Sequence, residues 1–231
     1  MIPKITSGIP GLDEFISGGI PYNTITLIYG PPKTGKSIFS YHFLNQGIQN
    51  QEFCLYIMAD YGINQLSQQM MAFDWYIESN LGDKIFIVDT ASKLSNTLLN
   101  ETNTIKYSSP QNPTDILIKI NDGIKYIYQK SQNYRSILDS VTTLFAYNDP
   151  ILVIRALKSY VMKLKQSGGT GIITYTEGST NIQIENMLKA SVDNIIHLNG
   201  SKMSIEAMVG CSHVEMDYTI TKYGIKVHNR V

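Results

Sequence analysis

Along the chain, short apolar runs alternate with segments whose apolar residues recur at helical spacing. "TITLIYG" (24–30) predicts a buried strand, and "KSIFSYHFLNQGI" after it a helix with Ile38, Phe39, Phe43 and Leu44 on one face. "FCLYIMA" (53–59) predicts the next strand, a helix follows near residues 63–74, and "KIFIVD" (84–89) is a third strand. Residues 92–113 are polar, with prolines only at the end, and predict a long, mobile excursion. A helix resumes at Thr114, "YRSILDS" (134–140) is a strand ending in an acid, and Asp149-Pro150 opens a long helix. "GTGIITYTE" (169–177) is a further strand. "DNIIHL" (193–198), "KMSIEAMV" (202–209) and "VEMDYTIT" (214–221) read as successive strands joined by Gly-containing turns. The alternation predicts an α/β fold: a mostly parallel sheet covered by helices on both faces.

Composition narrows this picture without redirecting it. The chain has 231 residues, enough for one domain over 1–231 with a sizeable core. Lys+Arg and Asp+Glu both number 19, so the zero net charge offers no global attraction to nucleic acid or an anionic membrane. Two distant cysteines, Cys54 and Cys211, give neither a disulfide framework nor a zinc site. No apolar run is long enough to span a bilayer, and "MIPKITSGIPGLDEF" lacks the apolar core of a leader. The expectation is a cytoplasmic protein.

The chemistry lies in "GPPKTGKS", Gly30–Pro31–Pro32–Lys33–Thr34–Gly35–Lys36–Ser37, which fits G-x-x-x-x-G-K-[ST]. Glycines at both ends allow a tight turn whose amides converge on phosphate oxygens, and the following helix turns its positive end to the same charge. Lys36 supplies a mobile cation and Ser37 a hydroxyl for Mg²⁺. A magnesium site also needs a carboxylate at the end of a neighbouring buried strand. Asp139 in "SILDS" is the first choice, and Asp89 in "IFIVDT" the second.

Together these stretches resemble the RecA superfamily, and within it the KaiC-like branch. "TSGIPGLDEFISGGIPYNTITLIYGPPKTGKS", "ILDSVTTLF", "GIITYTE", "DNIIHL" and the closing "GCSHVEMDYTITKYGIKV" carry the resemblance over nearly the whole length. It implies a RecA-like P-loop core with a twisted sheet and C-terminal antiparallel strands. It also implies ATP and Mg²⁺ as cofactors, and a homo-oligomer, a ring such as a hexamer, with nucleotide at the subunit interface.

Three departures from that family's pattern stand out. Active relatives carry a glutamate, often a pair, after the second strand; here Ala59 and Asp60 stand there, and Asp is one methylene shorter. Asp60 and Glu177, which closes "GIITYTE", are the candidate catalytic carboxylates, with helix capping the alternative for Asp60. The K-x-R stretch that reaches a neighbour's phosphates is replaced by Ala207 and Val209, leaving Lys202, Lys222 or Lys226 as substitutes. Lys189-Ala190 stands where autophosphorylating relatives have Ser-Thr.

The leading expectation is an ATP-dependent assembly or signalling switch with weak or no hydrolysis and a protein partner, as in the ATP-binding component of the archaellum motor. One alternative is a recombinase-like ATPase binding single-stranded DNA. It is disfavoured because Phe145 and Tyr147 follow Asp139 without a nearby Lys or Arg. The other is a competent ring ATPase using Asp60.

Overall fold

The computed structural model describes residues 2–95 and 100–228. In chain order the elements are β1 (Lys4–Ile5), α1 (Leu12–Phe15), β2 (Ile20–Pro21), β3 (Ile25–Gly30), α2 (Lys36–Gln49), β4 (Phe53–Met58), α3 (Ile63–Met71), β5 (Ile85–Asp89) and β6 (Ile105–Tyr107). Then come α4 (Pro113–Tyr128), β7 (Tyr134–Asp139), α5 (Val141–Tyr147), α6 (Pro150–Gln166), β8 (Gly169–Thr176), α7 (Ile182–Lys189), β9 (Asn194–Leu198), β10 (Lys202–Ala207), β11 (Val214–Thr221) and β12 (Gly224–His228).

Ten strands form one sheet in the order β12-β11-β10-β9-β3-β8-β7-β4-β5-β6. From β9 to β6 every pairing is parallel, and the last three strands add antiparallel. Strand alternation splits the buried side chains into two layers. Ile28, Tyr56, Met58 and Ile137 pack with Phe39, Phe43 and Leu44 of α2 and with α3 on one face. Leu27, Leu55, Ile57 and Ile173 pack with α4 and α6 on the other. The expected α/β architecture, with helices on both faces and antiparallel closing strands, is what forms.

The stretch expected to be a long excursion contains short elements of its own. Ser92–Ser95 make a 3₁₀ turn, and Ile105–Tyr107 add β6 parallel to β5 at the sheet edge. Three residues with two polar flanks give too short a period-2 signal to read as a strand. Residues 96–99 of that stretch lie outside the described residues. The helices α5 and α7 were also not anticipated from the sequence. The Asn181 side chain caps α7 by accepting the Ile184 amide.

Candidate nucleotide site

The site forms at the carboxyl ends of β3, β4, β7 and β8, where open α/β sheets place ligands. β3 runs into the Gly30–Ser37 loop and α2 follows immediately. Gly30 takes φ 150°, and a Cβ there would sit 1.9 Å from the Leu198 carbonyl oxygen of β9, so only glycine lets the loop leave the sheet here. Tyr218, from β11, braces the loop by donating its hydroxyl to the Thr34 carbonyl at 2.5 Å. The first amides of a helix have no acceptor within it, so those of α2 are available to a phosphate.

Lys36 is nearly buried and folds back, its ammonium donating to the carbonyls of Gly30 (2.9 Å) and Pro31 (2.7 Å). Burial lowers its pKa, and the nearby carboxylates of Asp139, Asp60 and Glu177 partly oppose that shift. Ser37 donates its hydroxyl to Asp139 Oδ1 at 3.3 Å. Asp139 is 1% exposed, and burial raises its pKa against the hydrogen bonds of Thr174, Tyr61 and Ser37. The peptide after it, Asp139–Ser140, is cis.

The two strand-end aspartates considered for the metal, Asp139 and Asp89, flank Met58 of β4 at one level of the sheet. Two strand spacings put them about 10 Å apart. Only Asp139 meets the loop. Asp89 is occupied elsewhere: it accepts the amides of Ile63, Ala91 and Ser92 and the Ser92 hydroxyl. Asp89 therefore serves the start of α3, the role considered for Asp60.

Asp60 lies free of that helix. Ser140 donates its hydroxyl to both Asp60 oxygens at 3.0 Å, and Thr143 donates to Oδ1. Asp60 lines one cleft with Lys33, Gly35, Lys36, Ser37, Asp139 and Thr174. Glu177 is not among that cleft's lining residues. Its Oε2 instead lies 3.1 Å from His197 Nε2, while its amide donates to the Gly30 carbonyl. Ala207 and Val209 are exposed, so the departure from the family's basic stretch is a surface feature. Of the substitute cations, Lys202 pairs with Glu215 at 2.7 Å and Lys222 lies over the Tyr223 ring.

Thr174, Tyr61, Ser140 and Thr143 were not singled out in the sequence. Thr174 sits at the third position of "IITYT" and Tyr61 directly follows Asp60, so position relative to the motifs was the available signal. Phe145 is 7% exposed and packs edge-on to Tyr175, whereas Tyr147 is exposed.

A glycine loop, a lysine beneath it and a serine beside a buried strand-end carboxylate define a P-loop nucleotide-binding protein with a RecA-like sheet. The hard oxygen donors of Ser37 and Asp139 suit Mg²⁺, and the loop suits a polyphosphate. The protein-family model described as "ATPase: KaiC" matches residues 5–231, and the chain belongs to that family.

A UPF0273 protein of Pyrococcus furiosus is 31% identical over 172 residues, which cover 74% of this chain and 66% of the relative. A UPF0273 protein of Pyrococcus horikoshii is 28% identical over 246 residues, covering 99% of this chain and 95% of the relative. The circadian clock oscillator protein KaiC of Parasynechococcus marenigrum is 27% identical over 176 residues, but the chain spans only 32% of its length. Among solved structures, a KaiC-like protein from Pyrococcus horikoshii superposes with a TM-score of 0.79 at 23% identity, covering 99% of this chain and all of the other. That likeness concerns the fold. Among the described residues, no helix is long and apolar enough to cross a membrane.

Proposed function

We propose that this chain is a Mg·ATP-binding switch in which nucleotide governs assembly or signalling, with slow hydrolysis or none. The observation that carries the reading is the state of Asp60. Both of its oxygens already accept hydroxyl protons from Ser140 and Thr143, so a water to be activated must compete with two built-in donors. A general base contributes about 10²–10⁴-fold only when it reaches the proton it abstracts. Asp60 is short and engaged, and it follows Ala59 rather than a second carboxylate.

In this reading the Gly30–Ser37 loop holds the triphosphate, Lys36 swings from its two carbonyls to the phosphate oxygens, and Ser37 with Asp139 holds Mg²⁺. The metal, when bound, neutralises phosphate charge. Glu177 keeps to its contacts with His197 and the loop and takes no catalytic part. Nucleotide sits at the interface of a homo-oligomeric ring in the cytoplasm, and a protein partner reads the bound state. A ligand drives such a switch only through its different affinity for the two states.

The test pairs native mass measurement, with and without Mg·ATP, with a phosphate-release assay. Nucleotide-dependent assembly with slow release supports the switch, and rapid release sinks it. A second reading, a competent ATPase, is favoured by one observation: Asp60 does line the cleft that holds Lys36 and Ser37. The recombinase-like alternative is weakened by the burial of Phe145, which leaves Tyr147 as the one exposed ring of the pair. A salt-dependent shift of fluorescent single-stranded DNA would restore it.

A further inference from the structure

The loop after β4 sends two consecutive side chains to two carboxyl-group tasks. Asp60 turns outward to Ser140 and Thr143. Tyr61 turns inward, is 7% exposed, and donates its hydroxyl to Asp139 Oδ2 at 2.6 Å. Tyr56, from β4 itself, backs this bond: its hydroxyl lies 3.0 Å from that of Tyr61 and 3.4 Å from the same Oδ2. The other oxygen, Oδ1, accepts from Thr174 at 2.5 Å and from Ser37 at 3.3 Å. The carboxylate is thereby sorted, with Oδ2 sunk among tyrosines and Oδ1 facing the phosphate loop.

We infer that Tyr61 is a positioning residue for the metal, fixing the rotation of Asp139 so that Oδ1 is presented beside Ser37. The inference rests on reading the loop as a Mg·nucleotide site. The terminal torsion of an aspartate is broad and roughly two-fold, so an unrestrained carboxylate has little preference for which oxygen faces forward. A short hydroxyl bond to one oxygen removes that freedom, and such charge-assisted bonds are about twice as strong as neutral ones.

What holds Tyr61 is the second aspartate. Asp89 Oδ2 accepts the Ile63 amide at 3.1 Å and the Ser92 hydroxyl at 2.6 Å, clamping the turn onto the end of β5. Gly62, between Tyr61 and Ile63, is packed so tightly that a Cβ would lie 2.3 Å from Ser92 Oγ and 3.2 Å from Asp89 Oδ2. The two strand-end aspartates therefore act in series rather than as alternatives. Asp89 holds the turn, the turn holds Tyr61, and Tyr61 holds Asp139.

The experiment titrates Mg²⁺ into the full chain with a fluorescent ATP analogue, in wild type, Tyr61→Phe and Tyr56→Phe, with a parallel series in EDTA. Partners of a metal ligand typically alter metal affinity about 10- to 100-fold, so Tyr61→Phe should raise the Mg²⁺ midpoint about ten-fold or more while binding in EDTA stays within about two-fold. Tyr56→Phe should shift it the same way, by roughly three-fold, through its weaker bond. An unchanged midpoint in Tyr61→Phe overturns the inference. So does a loss that is equal with and without Mg²⁺ and tracks a fall in melting temperature, which is what a merely structural tyrosine would give. Should Tyr61→Phe fail to fold, an unchanged midpoint in Tyr56→Phe overturns it instead. A wild type that ignores nucleotide in both series overturns the site reading itself, and the inference with it.

Discussion

His42 accepts the backbone amide proton of Ile225 on Nε2 at 2.8 Å, while its Nδ1 lies 2.9 Å from the Gly8 carbonyl oxygen. The imidazole is thus neutral with its proton on Nδ1, and it ties the helix of the phosphate loop to the N-terminal segment and to the last strand. Its ring also packs edge-on against Trp75 at 4.6 Å.

Burial lowers the His42 pKa to about 4 from its usual 6.5, with the Gly8 hydrogen bond opposing weakly. The unfolded chain then binds the proton more readily than the folded one. The stabilising contribution is whole above pH 6.5 and drains away as pH falls toward 4, amounting to roughly 3 kcal/mol across that window. Urea unfolding at a series of pH values should show wild type losing stability there. His42→Leu should be weaker at pH 7 but flatter below it; equal slopes would remove His42 from the account.

Lys36→Ala should cost about 100-fold in ATP affinity, the order expected for losing a charged donor to phosphate. Isothermal titration against Mg·ATP measures this, and far-UV circular dichroism should match wild type. Undiminished binding would dismiss the phosphate-site reading.

Asp60→Ala should leave Mg·ATP affinity within about three-fold, since Asp60 touches hydroxyls rather than the loop. If the chain is a clamp, phosphate release is slow in wild type and unchanged in the variant. A drop of about 10²-fold from a brisk wild-type rate would make Asp60 the base and the chain an engine.

Arg135 is fully buried, donating from Nε to Glu52 Oε2 at 2.5 Å and from Nη1 to the carbonyls of Thr6 (2.9 Å) and Phe43 (3.1 Å). Glu52→Gln strands that charge and should destabilise the fold by about 3 kcal/mol, at the low end for a broken buried pair because Glu52 is partly exposed. The shift in urea midpoint reads it out. Raising salt should reproduce little of the loss, because buried pairs are poorly screened.

Much of this protein is legible in one dimension, because its signals are local. Runs such as "TITLIYG" and "SILDS" carry their own burial, and "GPPKTGKS" carries the backbone freedom and charge that a phosphate needs. β6 was not legible, since three edge residues show no period, and neither was the short α7. The ranking of Asp139 over Asp89 could be stated in advance but not argued from geometry. Both end apolar strands, and both lie level with Met58.

Sequence alone therefore determined the parallel α/β frame, the phosphate loop and the departures at Ala59, Asp60, Ala207 and Val209, all of which depend on residue type and spacing. Tertiary structure decided which hydroxyl meets which carboxylate. It gave Asp60 to Ser140 and Thr143, and Asp139 to Tyr61, Thr174 and Ser37. The physical reason is that a hydrogen bond needs atoms within about 3 Å, and only strand order and register bring residues 80 or 100 positions apart to that distance.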